Sequence, residues 1–257
     1  MMEYFTKRLM HCKDIGEVFK LMDSLDERVA DGLFASLNIS QNSVYHRFNV
    51  REHIAYTVLS VVPCAELKWA ALLHDIGKVR ALTTDLNGIN HFYDHPNISA
   101  SMAEDVLVEL NCDLKTLDNI VNLVRLHDKF NDATKPIKIK RVRELIGTYG
   151  TEFAYNLVQL KIADIKAQSE FSYQYKKDMI LELHRLIHIV DIDGTGVNRY
   201  ELDLDIAEFT DRYKEYTDKI IDILLRNVWG NPDNNENAIL LRIADKEYKR
   251  MVLNDRD

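Results

Sequence analysis

Residues 65–82, AELKWAALLHDIGKVRAL, decide the fold. Apolar positions recur so densely up to Leu73 that the segment reads as a helix buried on most of its faces. His74 and Asp75 then follow where the same pattern predicts core. A buried ionisable pair is costly unless something compensates it, and the compensation is either plain hydrogen bonding or a metal ion.

The rest of the chain is consistent with a helical protein. It has 257 residues but only 9 glycines and 4 prolines, and its apolar positions recur at three- and four-residue steps. The pattern predicts helices over 13–36, 48–62, 64–77, 97–110, 114–129, 138–149, 151–170, 174–190 and 212–229, with no strand pair and no internal repeat. The polar run DIDGTGVNRYELDLD at 191–205 is the longest break. It divides the expected organisation into a domain over 1–190, with its core at about 45–170, and a helical extension over 191–257.

Composition excludes several classes. A 46% hydrophobic and 29% charged chain has the balance of a globular protein. It has neither the roughly 18-residue apolar run of a membrane span nor the core of a signal peptide, so no membrane partner and a cytoplasmic location are expected. Cys12, Cys64 and Cys112 are odd in number and form no CxxC pair, which argues against a disulfide framework or a thiolate zinc site. A net charge of −8 argues against a large generic nucleic-acid surface.

Hairpin geometry gathers the histidines. Helices 48–62 and 64–77 are joined at Pro63-Cys64, and so short a connection forces antiparallel neighbours. His53 lies ten residues before Pro63 and His74 ten after Cys64, so the two side chains fall at one height. A second hairpin, 97–110 and 114–129, carries His95 before its first helix and His127 at the end of its second. Asp164, in LKIADIKA, is an acid on an otherwise apolar stripe.

Neutral imidazole and carboxylate are good ligands for divalent first-row metals. Together these make His53, His74, Asp75, His95, His127 and Asp164: four such ligands bind one ion, and six with water and a bridging aspartate could hold two. Each residue alone also has a plainer reading, because a lone histidine on an apolar face is more often a hydrogen-bonded core residue. Convergence of several favours the metal.

These residues resemble the HD-domain metal-dependent phosphohydrolases: His53, then HDIGK at 74–78, then Asp164 follow that family's H…HD…D order. YHRFNVREHIAYTVL (45–59), WAALLHDIGK (69–78), GINHFYDHPNISASMAEDVL (88–107), IVNLVRLHD (120–128) and LKIADIKA (160–167) resemble in order the HD region of bacterial CCA-adding tRNA nucleotidyltransferases. TDKIIDILLRNVWGNPDNNENAILLRIAD (217–245) resembles their tail. The Gly-Ser turn and paired aspartates of the nucleotidyltransferase head are not found; Asp203 and Asp205 mimic only the DxD spacing. The expectation is a free-standing HD module.

The resemblance implies an all-α HD-domain helical bundle with a C-terminal helical extension. It implies a phosphatase or 2′,3′-cyclic phosphodiesterase acting on a nucleotide or RNA-end phosphoester through metal-activated water. One or two divalent ions (Mn, Ni, Co, Fe or Mg) are implied. Asp75 would ligate and accept a proton, and Lys78 would contact the phosphoryl group or else be a solvated helix-end lysine. His46 and His91 match positions of the family pattern and are assigned to substrate contact, with supporting or structural roles as the alternative. The family's paired histidines with two metals have Asp128 in place of the second histidine here, so the resemblance implies one tight site at His53, His74, Asp75 and Asp164 and a weaker second one at His95 and His127. The rival readings are a non-catalytic RNA- or protein-binding module and a dinucleotide or alarmone hydrolase.

Three further segments read as distractors. DIDGTGVNRYE (191–201) imitates a calcium loop but lacks the acid at its twelfth position, which is Leu202. Lys135, Lys138, Lys140, Arg141 and Arg143 form a basic run that is a solvated helix face or an RNA contact. His184 and His188 stand one turn apart with no acid in register.

Overall fold

The structure, a computed structural model, describes residues 1–255. The helices are α1 (Met2–His11), α2 (Ile15–Leu25), α3 (Val50–Ser60), α4 (Ala65–Leu73), α5 (Lys78–Ala81), α6 (His95–Glu109), α7 (Leu114–Leu126), α8 (Ile139–Tyr149), α9 (Thr151–Ala167), α10 (Glu170–Asp193), α11 (Ile206–Tyr213), α12 (Thr217–Gly230) and α13 (Asn237–Asn254). Among the described residues no helix is long and apolar enough to cross a membrane.

The chain divides into two compact units. The first comprises Met1–Pro136 with Tyr155–Glu182, and the second Ile137–Ala154 with Leu183–Asp257. Residues 137–154, which the sequence pattern groups with the first 190, thus fall in the second unit, and the division runs through α9 and α10.

In the first unit α4 is the central element. Seven consecutive residues, Leu67 to Leu73, are buried, as expected of a helix apolar on every side. It packs against α1, α3 and α7. Two polar side chains on it are satisfied: Lys68 Nζ donates to the Val58 carbonyl at 2.6 Å, and Trp69 Nε1 donates to Thr6 Oγ1 at 2.8 Å. The start of α3 is set by a capping box, in which Asn49 Oδ1 accepts from the Glu52 amide and Glu52 reaches back to the Asn49 amide. The α6–α7 hairpin turns through Asn111 in a left-handed conformation and restarts at Asp113, whose carboxylate accepts from the Thr116 amide.

The structure departs from the expected pattern at residues 74–92. The helix ends at Leu73, turns through 74–77 and resumes as the short α5, and an antiparallel hairpin follows. Its strands are β1 (Leu82–Thr84) and β2 (Asn90–Phe92), with Thr83 opposite His91. Its turn holds Asn87-Gly88, with Gly88 at φ 78°, and Asp85 Oδ1 accepts from the Asn87 and Ile89 amides. The first predicted helix also breaks: α2 stops at Leu25, followed by a π-type turn at Asp26–Ala30.

The second unit has its own core, built from Phe209, Tyr213, Ile220, Leu224, Val228, Trp229 and Leu240. α8 packs on α12 there. The calcium-like segment is not a loop at its start, because α10 continues through Asp193.

Candidate metal centre

Each hairpin delivers one histidine pair. His53, in the first turn of α3, and His74, capping α4, stand with Nε2 atoms 3.2 Å apart; His95, opening α6, and His127, capping α7, repeat that separation of 3.2 Å. Asp164 Oδ1, from α9, lies 3.0 Å from His53 Nε2. Asp75 stands between the pairs. Its Oδ2 is 3.3 Å from His53 Nε2 and 3.2 Å from His74 Nε2, while its Oδ1 is 3.2 Å from His95 Nε2 and 3.6 Å from His127 Nε2. Two sets result, His53–His74–Asp164 and Asp75–His95–His127, each with one donor atom per residue inside a 4.8 Å span.

The other ring nitrogen of each histidine is already committed. Nδ1 faces a backbone carbonyl in every case: Ala167 for His53 (3.3 Å), Ala71 for His74 (2.9 Å), Phe92 for His95 (2.9 Å) and Val124 for His127 (2.7 Å). A carbonyl can only accept, so Nδ1 carries the proton and each neutral ring presents a bare Nε2 lone pair to the centre. Facing lone pairs at 3.2 Å require a proton or a cation between them. Asp75 Oδ1 is buried and accepts no hydrogen bond. Four imidazole lone pairs and an unsatisfied carboxylate oxygen converging in a largely buried site are a donor set that fits one or two divalent first-row ions, and no thiolate stands among them to favour a softer metal.

Without a cation, protons take that place. Burial opposes charge on His53, but hydrogen bonds to Asp164 and Asp75 raise its pKa to about 9. Burial likewise opposes charge on His127, and Asp128 and Asp75 raise it, whereas burial wins at His74 and lowers it. Burial would raise both carboxyls. His74 and Lys78 nevertheless hold Asp75, and His53 holds Asp164, well below the usual carboxylate range.

Residues 52–192, more than half of the chain, match the sequence pattern of the HD domain. The chain belongs to the HD domain family. That places it in a superfamily of metal-dependent phosphohydrolases. Among curated proteins, the A-adding tRNA nucleotidyltransferase of Deinococcus radiodurans is 29% identical over 132 residues, covering 48% of this chain and 29% of that protein. The chain thus spans less than a third of the length of that relative.

The remaining sequence-selected residues divide. Lys78 is buried, with Nζ 2.8 Å from Asp75 Oδ2 and 2.8 Å from Gln41 Oε1, so the solvated-lysine alternative does not hold. His46 packs against His53 at 5.6 Å between ring centroids, and burial, followed by Lys78, lowers its pKa to about 3. His91 sits on the β-hairpin, where its Nε2 is 3.2 Å from Asp85 Oδ2. In the basic run, Lys135 pairs with Asp132 and Arg143 with Thr195 Oγ1 and the Trp229 carbonyl, whereas Lys138, Lys140 and Arg141 are exposed. His184 and His188 are exposed on α10.

The structure adds four residues that the sequence pattern did not select. Asp128 Oδ2 lies 3.5 Å from His95 Nε2; burial opposes its charge, and His127, His95 and Lys161 lower its pKa. Lys161 is buried three residues before Asp164 and donates to the His127 carbonyl at 2.8 Å; burial lowers its pKa to about 8. Gln41 holds Lys78, and Gln168 Nε2 holds Asp164 Oδ1 at 2.9 Å. Lys161 had a signal, since i and i+3 share a helix face. The two glutamines had none.

Proposed function

We propose that this HD domain is a metal-dependent phosphohydrolase of the phosphatase or 2′,3′-cyclic phosphodiesterase type, acting on a nucleotide or an RNA-end phosphoester. The observation that carries the reading is the convergence of four imidazole Nε2 atoms, each with its Nδ1 turned to a backbone carbonyl, on two buried carboxylates. His53, His74 and Asp164 would hold one divalent ion, and Asp75, His95 and His127 a second, with Asp128 beside it. Such an ion lowers the pKa of bound water and polarises a phosphoryl oxygen.

The chain's own groups supply the rest. Asp75 offers one oxygen to each histidine pair and would help to hold an ion on either side, and a carboxyl held well below its usual range is a poor proton acceptor. Lys78 spends two of its three N–H groups on Asp75 and Gln41 and keeps the third for a phosphoryl oxygen. Lys78→Met preserves volume while removing that donor and the charge balancing Asp75. Metal-dependent turnover should fall by about a hundredfold, the typical loss for one preorganised donor, with the change in kcat rather than KM.

The reading is tested with the purified chain and Mn, Co, Ni, Fe or Mg, supplied with 2′,3′-cyclic nucleotides, 5′-nucleotides, RNA carrying a 2′,3′-cyclic end, and dinucleoside polyphosphates. Metal-dependent turnover of a phosphoester in the panel is the expected result. A chain that binds metal yet cleaves none of them is a binding module and not a hydrolase.

A further inference from the structure

Three exposed aromatic side chains, on segments that also carry residues of the candidate metal centre, touch one another. Tyr45 is 38%, Phe171 54% and Tyr175 41% exposed. Phe171 and Tyr175 are i and i+4 at the start of α10, with rings parallel within 4° and centroids 6.2 Å apart. Tyr45 leans on both, at 5.4 and 6.3 Å. Scattered exposed rings are ordinary, but three in contact leave a contiguous apolar surface that folding alone would bury. Elsewhere in the same unit, the stacked Phe48 and Tyr56 are half-buried and capped by the Arg47 guanidinium.

The cluster is tied to the site through the chain at two points. Tyr45 precedes His46, whose ring packs on His53. Phe171 follows three residues after Gln168, which holds Asp164. The two segments are stitched together by Ser169, whose amide donates to the Tyr45 carbonyl at 2.9 Å and whose hydroxyl donates to the Val44 carbonyl at 2.6 Å.

We infer that Tyr45, Phe171 and Tyr175 form a stacking platform for the nucleobase of the substrate, so that the centre acts on nucleotides in preference to phosphoesters without a base. The inference rests on the phosphohydrolase reading for the identity of the reacting group. An aromatic group carried on a phosphoester, with its phosphoryl moiety among the histidines, is the ligand that uses both features. Ring faces carry no hydrogen-bond code, so base selectivity is weak, with purines favoured by their larger stacking area.

Binding of adenosine to the metal-loaded full chain decides the matter without turnover, because adenosine has no phosphoester to cleave. Saturation-transfer NMR should detect adenosine and not ribose. In the double variant Phe171→Leu/Tyr175→Leu, whose sites are surface-exposed, adenosine affinity should fall about tenfold or more, within the range of losses for a stacked base. Phe171→Trp should retain or tighten it. Adenosine that binds the leucine variant as well as wild type, or wild type that does not separate adenosine from ribose, overturns the platform. So does a leucine variant that loses self-association in sedimentation while its adenosine binding stays unchanged, which would mark the patch as a contact between copies. Failure of the phosphoester panel would sink the hydrolase reading while leaving the adenosine result to judge the platform.

Discussion

Asp75→Asn should lose at least about a thousandfold in metal-dependent phosphoester turnover, together with the metal itself, while keeping its helical far-ultraviolet signal. The substitution is isosteric, but it strikes the side chain whose two oxygens face the two histidine pairs. Asparagine brings no charge and presents an NH2 group to at least one pair where a carboxylate oxygen stood. Lys78 keeps an acceptor in Gln41 but loses its buried counter-charge, so the metal-free variant should also be less stable. The cleanest readout is thermal. A ligand at a hundred times its dissociation constant stabilises by about 2.7 kcal/mol, or several degrees in a chain of this size. Wild type should show that rise with Mn and lose it with a chelator; the variant should show little of it. A variant that keeps the full metal-induced shift would remove Asp75 from the ligand set.

Much of this centre was legible because it depends on short-range geometry. The Pro63-Cys64 connection fixes two antiparallel helices in register, so equal offsets bring His53 and His74 face to face, and the Asn111 turn does the same for His95 and His127. Asp164 was visible as a misfit in an apolar stripe. What stayed hidden lacks periodicity or charge. Gln41 comes from an irregular loop and reaches Lys78 across 37 positions, and nothing local marks an uncharged side chain as a partner. The β-hairpin announced itself only by Asn87-Gly88, because strands of three residues are too short to show alternation. The exposed platform combines an i, i+4 aromatic pair, readable on α10, with Tyr45 from a distant loop, and only folding joins them.

Gly77→Ala should destabilise the protein by about 3 kcal/mol, at the upper end of overpacking costs, and should weaken the His95–His127 side of the centre more than the His53–His74 side. The reason is not backbone freedom, since Gly77 has an ordinary φ of −67°. A Cβ there would sit 2.4 Å from the Ser99 amide nitrogen and 2.8 Å from the His95 carbonyl oxygen. Both are backbone atoms of α6, so no side-chain rotation relieves the clash, and the hydrogen bond from the Gly77 amide to Ser99 Oγ, 2.9 Å, would be disturbed as well. The helix must move, carrying His95 with it. Gly88→Ala is the contrasting case: φ is 78° but nothing lies within 4 Å of the added carbon, so only conformational strain of about 1 kcal/mol is expected and metal binding should be untouched. Urea denaturation of the metal-free proteins gives the stability difference, and metal titration followed by elemental analysis gives the number of ions held. Equal costs for the two substitutions, or a Gly77→Ala protein with unaltered metal stoichiometry, would show that the close approach of α6 does not position His95.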